Sequence, residues 1–180
     1  MSMTDLANAL PDYAIDLKSN LNSLAAEPTL SEQQRWGCFL ACAYATGESA
    51  VIAAFEREAD ARLTVEATIA AKRAASIMAM NTVYYSAVNL LQNHDYRAEP
   101  AGLAMSALTH PGVDKIDFEL WALAVSALSG CAACLNAHEI ELRKRGTSLE
   151  RIHAALRIAA VVASAATTVR LETANSGGTP

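Results

Sequence analysis

Apolar residues recur at three- and four-residue spacings along nearly the whole chain, which is the period of an amphipathic helix. Ser31-Glu-Gln-Gln34 forms a capping box that begins one helix, Gly47 ends it, and Thr147-Ser-Leu-Glu150 begins another. No stretch alternates apolar and polar residues, so the pattern predicts an all-α protein without strands. The predicted helices begin near Pro11 and then cover about 31–46, 48–61, 65–91, 116–128, 132–145 and 148–174.

A degenerate internal repeat relates residues 31–92 to residues 116–174. At an offset of 84 residues, Glu66 matches Glu150 and Arg73 matches Arg157, each within a long alanine-rich helix. We expect antiparallel helices in a single domain over residues 1–175, followed by a disordered tail at 176–180. The same offset pairs small residues of the first half with chemically reactive ones of the second: Gly47 with Cys131, Ala50 with Cys134 and Ala54 with His138.

Composition and charge narrow the class of protein. Hydrophobic residues make up 52% and charged residues 18% of the 180 residues, and the net charge is -5. No basic face suggests nucleic-acid binding, and no apolar run approaches the roughly 20 residues that span a bilayer. The first ten residues lack the pattern of a signal peptide. We therefore expect a cytoplasmic protein that binds neither nucleic acid nor a membrane.

The four cysteines form two pairs of different character. Cys38 and Cys42 are spaced i,i+4 on an apolar helix, so we expect them to be buried and inert. Cys131 and Cys134 form a CxxC motif after a helix-breaking Ser-Gly pair, which places them at the N-cap and in the first turn of a helix. The helix dipole and unpaired backbone N–H groups there favour thiolate over thiol. In a cytosolic chain such a pair is typical of catalysis or metal binding.

Two further residues extend this candidate centre. His138 lies four residues after Cys134 on the same helical face, where it can carry the proton that a reacting thiol loses. Glu119 lies on the preceding helix and would approach His138 if the two helices form an antiparallel hairpin. We interpret the motif as a reversible dithiol/disulfide centre with at least one sulfur open to solvent. Trp121 is predicted to pack in the core.

Other functions remain open from the residues alone. A metal site would have only Cys131, Cys134, His138 and Glu119 as ligands, whereas zinc usually takes four protein ligands or three and a water. We expect no metal. An acid–base enzyme would not need the thiols, and a purely structural protein would show no redox change. The chain lacks a phosphate loop and a dinucleotide fingerprint, so electrons would come from another protein or a small thiol.

The chain resembles the alkyl hydroperoxide reductase D (AhpD) family, within the wider carboxymuconolactone-decarboxylase-like superfamily. The resemblance is strongest from Phe118 to Glu139, which reads FELWALAVSALSGCAACLNAHE. It extends over nearly the whole chain, through Leu10-Pro-Asp-Tyr-Ala14, Met78-Ala-Met-Asn81, Tyr84-Tyr85 and His110-Pro-Gly112. It implies an AhpD-like all-helical protomer built on a repeated motif and assembled into a homotrimer.

The resemblance also implies an antioxidant peroxidase that reduces alkyl hydroperoxides. Cys134 would be the nucleophile that forms a sulfenic acid, Cys131 the proton donor and resolving thiol, and Glu119 and His138 the proton relay. No cofactor would be tightly bound, because dihydrolipoyl groups on acyltransferase subunits would supply electrons. The reduced centre would also pass electrons from dihydrolipoamide to an AhpC-type peroxiredoxin. Some members carry a histidine where this chain has Ala133, so the charge near the thiols differs.

Two alternatives remain within the resemblance. One is an electron-transfer adaptor that exchanges disulfides and has little peroxidase activity of its own. The other is a decarboxylase-like acid–base enzyme of the same superfamily.

Overall fold

The structure, a computed structural model, describes residues 2–176, and the regular elements in that range are all helical. The last helix runs to Ser176, one residue into the predicted tail, and the rest of that tail, 177–180, lies outside the described residues. The α-helices of the described chain are α1 Met3–Ala9, α2 Ile15–Ala25, α3 Glu32–Thr46, α4 Ser49–Asp60, α5 Val65–Leu90, α6 Ser106–Thr109, α7 Lys115–Ser129, α8 Ala132–Lys144 and α9 Leu149–Ser176.

The predicted and observed helices differ mainly at the N-terminus and before α7. Helix α1 is not among the helices predicted from the sequence, although Ser2 and Asp5 form a capping box at its start. Pro11 precedes a short 3-10 turn, and α2 begins only at Ile15. A second 3-10 turn at His94–Arg97 and the four-residue α6 were not predicted, because one turn is too short to show a helical period.

Helices α3 and α7 form the centre of the protein, where they pack on each other and on α5 and α9. Trp121 of α7 is fully buried, as predicted, and its indole N–H donates to the carbonyl oxygen of Gln34 at 3.2 Å. Gly37 of α3 makes this contact possible. A Cβ at that position would lie 2.1 Å from Cε2 of Trp121, far closer than two carbon atoms can approach.

The helices α3 to α5 and α7 to α9 follow the same order of lengths. The first helix of each set has 15 residues, the second 12 or 13, and the third 26 or 28. Gly47 and Gly130 cap α3 and α7 in the left-handed region, with φ of 69° and 67°. These lengths agree with the duplication of residues 31–92 and 116–174, which stays a prediction, as does the single domain over 1–175.

The helix ends correct the register of that comparison. Lys115 begins α7 83 residues after Glu32 begins α3, and Gly130 follows Gly47 at the same distance. The long helices keep the offset of 84, because the second half has one more residue between the starts of its second and third helices. The expected partners Gly47, Ala50 and Ala54 are therefore wrong by one residue. The counterparts of Cys131, Cys134 and His138 are Glu48, Val51 and Phe55.

Helix α9 is long and apolar enough, by length and composition alone, to cross a membrane. The expectation that no apolar run approaches such a length therefore needs correction for this helix. More than half of its most apolar segment is buried within the protein, and α9 packs on α2, α3, α4 and α7. This is the packing of a core helix.

Candidate active site

The turn between α7 and α8 brings the two cysteines of the motif together. Gly130 ends α7 in the left-handed conformation, and Cys131 follows as the N-cap of α8 in an extended conformation. Sγ of Cys131 accepts a hydrogen bond from the backbone N–H of Cys134 at 3.3 Å. The two sulfurs are joined in a disulfide. The positions predicted for both cysteines at the start of this helix are confirmed.

The disulfide is less accessible than the sequence predicts. Cys131 is 1% exposed and Cys134 is 5% exposed, so neither sulfur lies open on the protein surface. Cys134, however, lines a cavity of about 360 Å³. A reactant would therefore reach the Cys134 side of the disulfide through this cavity.

The cavity lies between α5, α8 and the segment around α6. Its wall is mostly apolar, and the polar groups beside the cysteine are the imidazole of His138, the amide of one asparagine and the hydroxyl of Tyr85. The lining residues are Met78, Asn81, Tyr85, Met105, Leu108, Ala133, Cys134, Ala137 and His138.

Glu119 and His138 form a buried pair next to this cavity. Oε2 of Glu119 lies 2.5 Å from Nδ1 of His138, and Oε1 accepts a hydrogen bond from the ammonium group of Lys115 at 2.6 Å. Burial alone would raise the pKa of Glu119, but the hydrogen bonds from His138 and Lys115 outweigh it and hold that pKa below its ordinary value. The carboxylate is thus ionised and fixes one nitrogen of the imidazole ring.

The second nitrogen of His138 faces α5. Its Nε2 lies 3.3 Å from Sδ of Met78, which is buried as predicted. From the sequence, Met78 is expected only to fill the core, because nothing there relates a residue of α5 to one 60 positions later. Lys115 was also missed, although its spacing of four residues from Glu119 on one helix is a recognisable signal for an ion pair.

The other cysteine pair behaves as predicted. Cys38 and Cys42 are free thiols with no exposed surface. Burial raises the pKa of both thiols, so they stay protonated and unreactive at neutral pH. Across residues 2–176, no three histidine, cysteine or acidic side chains are gathered as metal ligands would be.

The fold and the site define a class of protein: an all-helical chain with a CxxC disulfide beside a buried glutamate–histidine pair. Residues 95–174 match the family model described as Carboxymuconolactone decarboxylase family. Over 97% of both chains, the sequence is 53% identical to "Alkyl hydroperoxide reductase AhpD" of Hyphomonas neptunium. It is 52% identical to the protein of that name from Maricaulis maris, covering 96% of this chain and 99% of the relative.

A third relative of that name, from Brucella abortus, is 48% identical over 98% of this chain and 99% of its own length. Identity at this level extends over essentially the whole of each chain, so the similarity is not confined to the CxxC motif. The chain belongs to the AhpD family.

Proposed function

We propose that this protein is an antioxidant peroxidase that reduces alkyl hydroperoxides through Cys131 and Cys134, with dihydrolipoyl groups as reductant. The observation that carries the proposal is a disulfide with one sulfur on an apolar cavity, beside the buried Glu119–His138 pair. The name of the relatives, alkyl hydroperoxide reductase, supports the class of substrate.

The oxidative half of the reaction begins from the dithiol. The Cys134 thiolate attacks the terminal oxygen of the hydroperoxide, the O–O bond breaks, and Cys134 becomes a sulfenic acid. The alkoxide takes up the proton that the thiol had lost and leaves as the alcohol. The Cys131 thiol then attacks the sulfenic sulfur, which forms the disulfide and releases water.

Burial and position support these separate roles. Cys134 lines the cavity through which a hydroperoxide would arrive, whereas Cys131, the N-cap of α8, is 1% exposed and is not part of the cavity wall. His138 lines the same cavity one helical turn after Cys134, so it would carry the proton between the thiol and the alkoxide. Glu119 would orient the ring through its hydrogen bond to Nδ1.

In the reductive half, a dihydrolipoyl thiolate attacks the disulfide and forms a mixed disulfide. The second dihydrolipoyl thiol then displaces the cysteine, which yields a lipoyl disulfide and the two protein thiols. A lipoyl-bearing acyltransferase subunit would present this group. The same exchange chemistry would pass electrons to an AhpC-type peroxiredoxin.

The test is hydroperoxide consumption by purified protein with dihydrolipoamide and no peroxiredoxin. We expect turnover by the wild type and by Cys42→Ala, which removes a buried thiol outside the centre. We expect none from Cys134→Ser or Cys131→Ser. Turnover by Cys134→Ser would show that the nucleophile is assigned wrongly.

The same assay separates the alternatives. An electron-transfer adaptor would consume hydroperoxide only after an AhpC-type peroxiredoxin is added. A decarboxylase-like acid–base enzyme, which the description of the matching family model brings into consideration, would keep its activity after both cysteines are alkylated. Hydroperoxide consumption that is lost on alkylation therefore favours the thiol peroxidase over such an enzyme.

We also propose that the protein works as a homotrimer in the cytoplasm. Several apolar side chains of α5 are exposed on the isolated chain, and assembly would bury surface of this kind: Val65 is 71%, Val83 72% and Leu90 84% exposed. Sedimentation equilibrium tests the proposal, since a mass of one or two chains at micromolar concentration would contradict it.

A further inference from the structure

One polar atom in the cavity beside Cys134 has no part in the chemistry above. Asn81 of α5 lines this cavity and is only 3% exposed. Within residues 2–176, its side-chain oxygen Oδ1 has no hydrogen-bond partner. Buried polar atoms in native proteins are nearly always hydrogen-bonded, because an unpaired one destabilises the fold. An unpaired acceptor on a side chain that lines a cavity therefore points to a ligand.

The position of Asn81 relates it directly to the reacting groups. It lies three residues after Met78 on α5, so the two side chains share one face of that helix. Met78 in turn contacts His138, and the α8 side of the cavity carries Cys134 and His138. A small group held between the two helices would lie next to the sulfur of Cys134.

The other polar groups around the cavity are already engaged. His138 is hydrogen-bonded to Glu119, and the hydroxyl of Tyr85 donates to Sδ of Met105 at 3.8 Å. The rest of the wall is apolar and fits a hydrocarbon group: Met78, Leu108, Ala133 and Ala137. The amide oxygen of Asn81 is therefore an unpaired hydrogen-bond acceptor within an apolar enclosure.

We propose that Asn81 is a substrate-binding residue whose Oδ1 accepts a hydrogen bond from the terminal O–H of an organic hydroperoxide. The hydrocarbon part of the same molecule packs against the apolar wall, which holds the terminal oxygen beside Cys134. This inference rests on the proposed function and names the group that orients its substrate. A hydroperoxide hydroxyl is a strong donor, whereas the thiols of the reductant are weak donors that would gain little from this contact.

The first test is steady-state kinetics of the full chain with the variant Asn81→Leu, which is similar in size but apolar. We expect KM for cumene hydroperoxide to rise about tenfold, the effect of one lost hydrogen bond, and KM for dihydrolipoamide to stay within about twofold. Asn136→Leu, an exposed asparagine of α8, is the matched control and should change neither constant. A rise in the constant for dihydrolipoamide instead, or in neither constant, would overturn the inference.

The second test is thermal unfolding of the same variants, with Asn81→Ala as a further variant if the leucine does not fit. Because Oδ1 has no internal partner, Asn81→Leu, which keeps the size of the side chain, should leave Tm unchanged or raise it. A Tm lowered together with an unchanged KM would assign Asn81 a structural role and contradict the inference.

The third test does not depend on turnover. The alcohol that cumene hydroperoxide yields on reduction offers the same hydroxyl donor and is redox-inert, so its binding to the disulfide form can be measured by calorimetry. We expect the Kd of Asn81→Leu to be about tenfold higher than that of the wild type. If the wild type consumes no hydroperoxide, the proposed function fails by itself, while equal binding by wild type and variant rejects the role of Asn81.

Discussion

The turn from α3 to α4 and the turn from α7 to α8 have the same backbone conformation. The side chains that follow the two turns differ, because one set is apolar and the other is reactive. In each, a left-handed glycine ends the first helix, Gly47 or Gly130, and the second helix begins two residues later. The turn between α7 and α8 is followed by the Cys131–Cys134 disulfide. After the turn between α3 and α4, the fully buried Val51 lies at the position that corresponds to Cys134. The same kind of helical hairpin can thus carry either an apolar core residue or a disulfide.

The contrast continues one helical turn further on. In the first half, Phe55 stacks on Phe39 with ring centroids 4.9 Å apart, and Trp36 lies 5.5 Å from Phe39. The counterparts of Trp36 and Phe55 in the second half are Glu119 and His138, which are hydrogen-bonded at 2.5 Å. Aromatic packing stabilises a core, whereas a buried ionic pair adds little or nothing to stability relative to apolar packing. We infer that one half maintains the frame and the other holds the reactive groups.

The largest effect on the peroxidase rate is expected when His138 is replaced by phenylalanine, the residue at the corresponding position of the first half. His138→Phe should lower the peroxidase rate about 10²- to 10⁴-fold, because the proton carrier is lost. Stopped-flow oxidation of the reduced protein by hydroperoxide measures this rate. The control is His153→Phe, which changes an exposed histidine of α9 and should react like the wild type. A His138→Phe variant with an unchanged rate would remove the histidine from the relay.

The opposite result is expected in the first half. Phe55→Ala should lower the free energy of unfolding by about 3–5 kcal/mol, since it empties space in a packed aromatic cluster. Urea denaturation measures the loss, and activity per folded molecule should remain that of the wild type. A well-folded Phe55→Ala protein with no activity would show that the two halves do not divide their tasks in this way.

The contact between Gly37 of α3 and Trp121 of α7 joins the two halves, and one added methyl group there should destabilise the protein. Gly37→Ala places a Cβ 2.1 Å from the ring of Trp121, so we expect a loss of about 1–3 kcal/mol in unfolding free energy. The double variant Gly37→Ala with Trp121→Leu relieves the overlap. The two substitutions should therefore be less destabilising together than the sum of their separate effects. Simple additivity would mean that α3 and α7 adjust without strain.

The smallest effect concerns pH. The folded state holds the pKa of Glu119 below its ordinary value of 4.5, so the ionised carboxylate stabilises the protein above that pH. This contribution is lost as pH falls through the folded pKa. Glu119→Gln should be about 1–2 kcal/mol less stable than the wild type at neutral pH. Unfolding temperatures measured from pH 7 to pH 3 test this, because the difference should shrink below about 4.5; a constant difference would contradict it.

Much of the fold was predictable because helical signals are local. The capping box at Ser31, the glycine at Gly47 and the Ser-Gly break before Cys131 each act within one turn, so the helix ends they predict agree with α3, α7 and α8. The repeat was harder to align. A gap of one residue within alanine-rich helices leaves almost no trace in the sequence, and only the helix ends revealed the offset of 83 residues between Glu32 and Lys115.

The sequence by itself determined the all-helical class, the place of Cys131 and Cys134 at a helix start, and the inert character of Cys38 and Cys42. These features depend on spacing and on neighbouring residues along one helix, and spacing is fully contained in the chain. The pairing of Glu119 with His138 was foreseen only on the assumption of a helical hairpin, which the 2.5 Å contact satisfies.

Only the tertiary structure decided what surrounds the sulfurs. It enclosed both cysteines, opened a cavity on the Cys134 side, and brought Met78 and Asn81 of α5 to its wall. Such contacts join residues some 50 to 60 positions apart. They follow from how whole helices pack, with Gly37 allowing α7 to approach α3, and no local pattern of hydrophobic and polar residues encodes that arrangement.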